Sequence, residues 1–169
     1  NNGVFILSAS YTDKGGKDIQ PLSGMASLTL RNNTMGFDNA HNLVGYTGLD
    51  YGGFHLLMTP KAAGSFSLDS LDLTGISAAT LAMGWQFAPQ FGYTFELRLD
   101  APNGKKLGEA ILKGSGGAPP KAAYELATLT ISMQPVTDGK RHNLYLVSKP
   151  NDPGEPNQVA LQGITFLPK

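Results

Sequence analysis

Apolar and polar positions alternate along most of this chain. In Phe95-Glu96-Leu97-Arg98-Leu99 the apolar side chains fall on one side of an extended backbone and Glu96 and Arg98 on the other, which predicts a strand with one buried and one wet face. Similar short runs at 4–11, 26–31, 54–58, 79–85, 107–113, 124–133, 142–148 and 159–167 predict further strands. Turn-forming stretches such as Asp13-Lys14-Gly15-Gly16, Pro102-Asn103-Gly104, Thr137-Asp138-Gly139 and Asn151-Asp152-Pro153-Gly154 separate them. No segment sustains the spacing of an amphipathic helix. Residues 119–126 have some helical propensity through Ala122 and Ala123, but Gly116-Gly117 before them and Thr-rich alternation after them make a loop leading into a strand. Strands at this density predict an all-β fold, a β-sandwich of the jelly-roll type, as a single domain over 1–169. The low-complexity run 114–120 is a loop and not a domain boundary.

Composition narrows the chemistry. The 169 residues carry 13 Lys+Arg and 13 Asp+Glu, and only 15% are charged, below the roughly 25% of an ordinary soluble domain. With no net positive charge and no basic run, there is no electrostatic footprint for nucleic acid or an anionic membrane. No apolar stretch is long enough for a spanning helix. The absence of Cys excludes disulfides, thiolate metal sites and a cysteine nucleophile. The opening Asn1-Asn2-Gly3 is neither a basic leader nor an initiator Met, and reads as the start of an excised or processed domain.

Catalytic patterns are sparse. The Glu residues, at 96, 109, 125 and 155, and the Asp residues are scattered, and Asp13, Asp100, Asp138 and Asp152 fall in turns, where Asp is favoured for local hydrogen bonds. His41, His55 and His142 match no metal-binding spacing. Gly114-Ser115-Gly116-Gly117 lacks the Lys and the following helix of a phosphate loop, and no Gly-x-Ser-x-Gly elbow is present. What remains is a set of aromatic and amide side chains in loop-like contexts, the groups that stack on a sugar's C–H face and bond its hydroxyls. Tyr46, Tyr51, Trp85, Phe91, Tyr93 and Tyr124 are candidate plates. Tyr46 and Tyr51 lie in a Gly-rich stretch, 45–53, that cannot bury everything it carries, and Trp85 ends an apolar strand as either core anchor or exposed plate. The polar loop 151–158 offers Asn151 and Asn157, with a solvated turn as the alternative reading.

Several segments together resemble family 6 carbohydrate-binding modules. Gly139-Lys140-Arg141-His142-Asn143-Leu144-Tyr145-Leu146, a polar loop and Val159-Ala160-Leu161-Gln162-Gly163-Ile164-Thr165-Phe166 are similar to the last two strands of those modules. Leu71-Asp72-Leu73-Thr74-Gly75-Ile76 and Tyr93-Thr94-Phe95-Glu96-Leu97-Arg98-Leu99-Asp100 are similar to central ones, and Val44-Gly45-Tyr46 resembles an element carrying a stacking tyrosine. The opening Leu7-Ser8-Ala9-Ser10-Tyr11-Thr12-Asp13-Lys14-Gly15 resembles the variant appended to bacterial secreted sugar dehydrogenases and related multidomain proteins.

The resemblance implies non-catalytic binding of an oligo- or polysaccharide by an accessory module of a larger secreted protein, extracellular or periplasmic, with other domains of the parent chain as partners. It assigns the stacking role to Tyr46 and a hydrogen-bonding role to Asn157. The family's second aromatic is missing, because Ala118-Pro119-Pro120 follows Gly116-Gly117, so Tyr124, Trp85 or Tyr51 is expected to replace it. Ser8, Ser10 and Gln162 match the acidic positions of the family's structural calcium. Neutral oxygens alone hold a divalent cation weakly, so no calcium and no other cofactor is expected. The alternative function is a structural or protein-interaction sandwich that has lost its sugar site.

Overall fold

A computed structural model describes residues 4–169, in which the regular elements are all strands. These are β1 (Val4–Thr12), β2 (Ser23–Arg31), β3 (Thr34–Gly36), β4 (His41–Val44), β5 (Thr47–Tyr51), β6 (Phe54–Met58), β7 (Gly64–Asp72), β8 (Ile76–Trp85), β9 (Gly92–Leu99), β10 (Lys106–Lys113), β11 (Glu125–Ser132), β12 (Arg141–Pro150) and β13 (Ala160–Pro168). The chain divides into two compact units, Asn1–Asn33 and Thr34–Lys169. The sandwich therefore occupies the second unit and not the whole of 1–169, a correction with a simple cause: β1 and β2 pair only with one another, as a separate two-stranded sheet.

The first unit is an antiparallel hairpin. Phe5 pairs with Leu30, Leu7 with Leu28, Ala9 with Ala26 and Tyr11 with Gly24, so these share one face. The other face includes the Ser8–Ser27 pair and the Thr12 and Ser23 hydroxyls, 2.7 Å apart. Asp13 organises the connection by accepting hydrogen bonds from the Gly15 and Leu22 N–H groups.

The second unit is a sandwich of two antiparallel sheets. One runs β10-β9-β12-β7-β4, and the other runs β11-β8-β13-β6-β5 with β3 also paired to β13. The alternation seen in the sequence sets the inner faces: Phe95 and Leu97 are buried, as are Leu144 and Leu146 on β12 and Leu81 and Met83 on β8. On the outer face of β9, Glu96 pairs with Arg98 at 2.6 Å. At one end of the core, Phe66 receives the rings of Phe37 and Tyr46 edge-on, each with centroids 5.0 Å away.

Four strands, β3, β4, β5 and β7, escaped the sequence pattern, two of them for identifiable reasons. In β7 the alternation of Phe66 and Leu68 with Ser65 and Ser67 is interrupted at Ser70, whose φ of 58° shifts the register against β12 and returns Leu71 to the core. In β5 the Gly-rich stretch is not a loop: Tyr51 pairs with Phe54 across Gly52 (φ 60°) and Gly53 (φ 81°). Two successive positive φ angles define the tight hairpin turn that matches strand twist, and glycine adopts it without strain.

Candidate ligand-binding pocket

The pocket forms where the β5–β6 hairpin, the end of β8, the approach to β11 and the loop before β13 converge, and it encloses about 520 Å³, within the roughly 300–1,000 Å³ range of small-ligand sites. Leu49 and Tyr51 on β5 and Leu56 and Met58 on β6 share one face of their hairpin, by register, and line one wall. Gly84, Trp85, Gln86 and Phe87 line another, and Tyr124, Asn157 and Gln158 complete it. Among the described residues no acidic or basic side chain lines it.

Two tyrosines supply exposed ring faces. Tyr51 is 67% exposed and Tyr124 41%, with ring centroids 6.4 Å apart and planes 31° apart. Tyr124 reaches this position because residue 84 has no side chain: a Cβ there would stand 2.6 Å from the Tyr124 hydroxyl. Burial raises the Tyr124 phenol above its ordinary pKa, and the neighbouring Tyr51 adds to the shift, so the ring stays neutral. Trp85 is half-buried, and its indole N–H is enclosed without a hydrogen-bond partner.

The amide wall is held by a carboxylate. Glu155 is only 5% exposed, and its oxygens accept hydrogen bonds from the backbone N–H groups of Gln90 (2.9 Å), Phe91 (2.6 Å), Gly92 (2.9 Å) and Asn157 (3.0 Å). Burial works to raise its pKa, but the donors from Gln90, Asn157, Phe91 and Gly92 outweigh it and hold the carboxyl below the usual glutamate range. Asn157 donates its side-chain N–H to the Ala88 carbonyl at 2.9 Å, and its main-chain carbonyl accepts from the Tyr93 hydroxyl at 3.0 Å. Gln158 donates to the Thr59 carbonyl. These bonds fix the amides before any ligand arrives.

Of the candidates from sequence, the structure brings Tyr51, Trp85, Tyr124 and Asn157 into this one pocket. Tyr46 is elsewhere, which corrects its assignment as the stacking plate. It is 6% exposed, its ring packs on Phe66, and its hydroxyl donates to Ser148 at 2.6 Å. Burial pushes its phenol well above the ordinary range. A buried ring offers no face to a ligand. Asn151 is also structural: it accepts from the Thr94 hydroxyl at 2.7 Å and donates to the Phe91 carbonyl at 3.1 Å.

Sequence reasoning missed Glu155, read as part of a solvated turn, and Gly84, whose place inside an apolar strand was the available sign of close approach by another group. Of the positions matched to the family's calcium, Ser8 and Ser10 lie on β1 in the first unit and Gln162 on β13 in the second. Among the described residues no group of three His, Cys, Asp or Glu side chains is placed to hold a metal ion. His142 instead sits between Asp100 (2.8 Å) and Asp138 (3.1 Å), and His55 bonds Asp50 at 2.6 Å.

No protein-family model and no curated protein matches the chain. Solved structures do. A family 6 module from Clostridium stercorarium, in complex with cellobiose, superposes with a TM-score of 0.57 at 16% identity over 80% of this chain and 93% of its own. A family 6 module from Clostridium cellulolyticum, in complex with xylose, gives 0.60 at 19% over 80% and 97%. The fold is that of a family 6 carbohydrate-binding module. Part of a larger enzyme carries it too: 72% of this chain matches 23% of a family 43 arabinoxylan arabinofuranohydrolase from Bacillus subtilis, with a TM-score of 0.55 at 16% identity.

Proposed function

We propose that this chain binds an uncharged oligo- or polysaccharide in the pocket of Tyr51, Trp85, Tyr124 and Asn157, without transforming it. The observation that carries this reading is the convergence of aromatic faces and fixed amides in a cavity that no charged side chain lines. Tyrosine faces suit the apolar C–H side of a sugar ring, and the amides suit its hydroxyls. Hydrolysis of a glycosidic bond generally uses two carboxylates, and none lines the cavity. Stacking with a few hydrogen bonds gives weak affinity, on the order of micromolar to millimolar. We infer an accessory role beside other domains of a larger secreted chain, acting outside the cytoplasm, where linkage raises the effective affinity. A formal net charge of zero supports no nucleic-acid or membrane partner. The binding needs no calcium or other cofactor.

The test is calorimetric titration of soluble polysaccharides, including a cellulose-type glucan and a xylan, into the wild type, Tyr124→Ala and Asn157→Ala, with and without a chelator. Saturable binding that both substitutions weaken at least tenfold and the chelator leaves unchanged supports the proposal. A folded protein that binds none of the glycans, or that binds equally well after both substitutions, overturns the site in favour of a scaffold role.

A further inference from the structure

We propose that the apolar face of the β1–β2 hairpin joins two copies of this chain. A two-stranded sheet standing alone in water is marginal, because half of its side chains have nothing to bury against. This hairpin gathers an unbroken set of apolar and small residues on one face only. One face carries the cross-strand rows Phe5–Leu30, Leu7–Leu28, Ala9–Ala26 and Tyr11–Gly24, with no charged residue among them. Phe5, Leu7, Tyr11, Leu28 and Leu30 are each between 47% and 73% exposed. The opposite face carries the Ser8–Ser27 pair, Ser10 and the bonded hydroxyls of Thr12 and Ser23, with Ile6 and Met25 as apolar exceptions.

A second copy fits this face better than a featureless apolar partner, because the rows are complementary to themselves. Rotate a copy by half a turn about an in-plane axis perpendicular to the strands, midway between the Leu7–Leu28 and Ala9–Ala26 rows. Each leucine row then lies over the partner's alanine row, and the Phe5–Leu30 row lies over Tyr11 and Gly24. Leu7, Leu28 and Leu30 thus meet Ala9, Ala26 and Gly24 of the partner, large side chains against small ones, and Phe5 meets Tyr11 ring to ring, an arrangement that favours interdigitation. The interface is isologous, so it closes at two copies and does not propagate. Its size is adequate: the five large side chains offer on the order of 500 Å² per copy, and about 1,000 Å² between two copies is the lower end of a specific interface. The dimer is accordingly a micromolar one.

Sedimentation equilibrium of the full chain from about 1 μM to about 100 μM tests this, alongside Leu28→Glu on the apolar face, Ser27→Glu on the polar face and Ala26→Trp in the small row. The expected result is a mass rising from 17.9 kDa toward twice that value with concentration. Ser27→Glu should behave as the wild type, and Leu28→Glu should remain monomeric. Ala26→Trp separates shape from stickiness: it fills the space that the partner's Leu28 needs and should raise the dissociation constant at least tenfold, although it adds apolar surface. Trp85 fluorescence during urea unfolding verifies that each sandwich is intact. If Leu28→Glu disrupts folding, Ala26→Trp decides alone. A wild type that stays monomeric, one that forms polydisperse aggregates, or an Ala26→Trp chain that associates more tightly overturns the proposal.

Discussion

The Tyr124 ring rests on the bare Cα of Gly84, so a Cβ built on that glycine would stand 2.7 Å from the ring and 2.6 Å from its hydroxyl. Gly84→Val is therefore expected to expel Tyr124 from the pocket wall. Overpacking of this kind costs about 1–3 kcal/mol of stability. Glycan affinity should fall at least as far as in Tyr124→Ala, and adding Tyr124→Ala to Gly84→Val should cost little more. Titration of the two single variants and the double variant checks this, and additive losses would refute the dependence of one residue on the other.

Tyr46 gives the opposite expectation. Tyr46→Phe keeps the ring against Phe66 but removes the hydroxyl that donates to Ser148, itself 1% exposed. A buried hydroxyl that loses its partner costs about 1–3 kcal/mol. Urea unfolding should show that loss while polysaccharide titration is unchanged. A loss of binding with unchanged stability would return Tyr46 to the site.

Glu155 predicts a response to acid. Its folded-state pKa lies below the reference value of 4.5, so its contribution to stability is complete above that pH and disappears as the pH falls through the lower folded value. The urea midpoint should drop more between pH 5 and pH 3 in the wild type than in Glu155→Gln, where the amide keeps the size of the side chain but not its charge. Glu155→Ala should weaken glycan binding as well, because the Asn157 backbone loses its anchor. The unfolding series at several pH values and the titration together decide this.

His142 predicts a response of opposite sign. The side-chain bonds to Asp100 and then Asp138 raise its pKa above the reference 6.5, so both ring nitrogens are protonated where the pair is strongest. Its stabilisation is complete below pH 6.5 and disappears as the pH rises through the folded value. The wild type should lose stability on going from pH 6 into the alkaline range, and His142→Asn should lose less. NMR titration of the imidazole would show the raised value directly.

Much of this architecture was visible in the chain. The run from Phe54 to Met58 has the same bounds in the sequence pattern and in the structure, because its flanks are turn residues and its interior is apolar. Phe95 and Leu97 bury as their alternation predicts. The pattern fails where one residue resets the register, as Ser70 does in β7. The site was legible as a set of residue types but not as a place. Tyr46 and Tyr51 stand five positions apart in one Gly-rich stretch, yet one is 6% and the other 67% exposed. Tyr51 is placed by the pairing of β5 with β6, whereas Tyr46 lies in the link between β4 and β5 and packs on Phe66. Glu155 was invisible for a related reason: its value lies in backbone N–H groups more than sixty residues away.

The bonds that Glu155 makes have a thermodynamic consequence. A loop without regular structure would ordinarily become ordered when it closes on a ligand, and that ordering weakens association. Here one carboxylate already holds the 90–92 backbone and Asn157 together. The Asn157 side of the pocket wall is thus held by bonds within the chain itself. Binding should accordingly proceed with a small entropy penalty on the protein side and at a rate set by encounter, with no slow conformational phase.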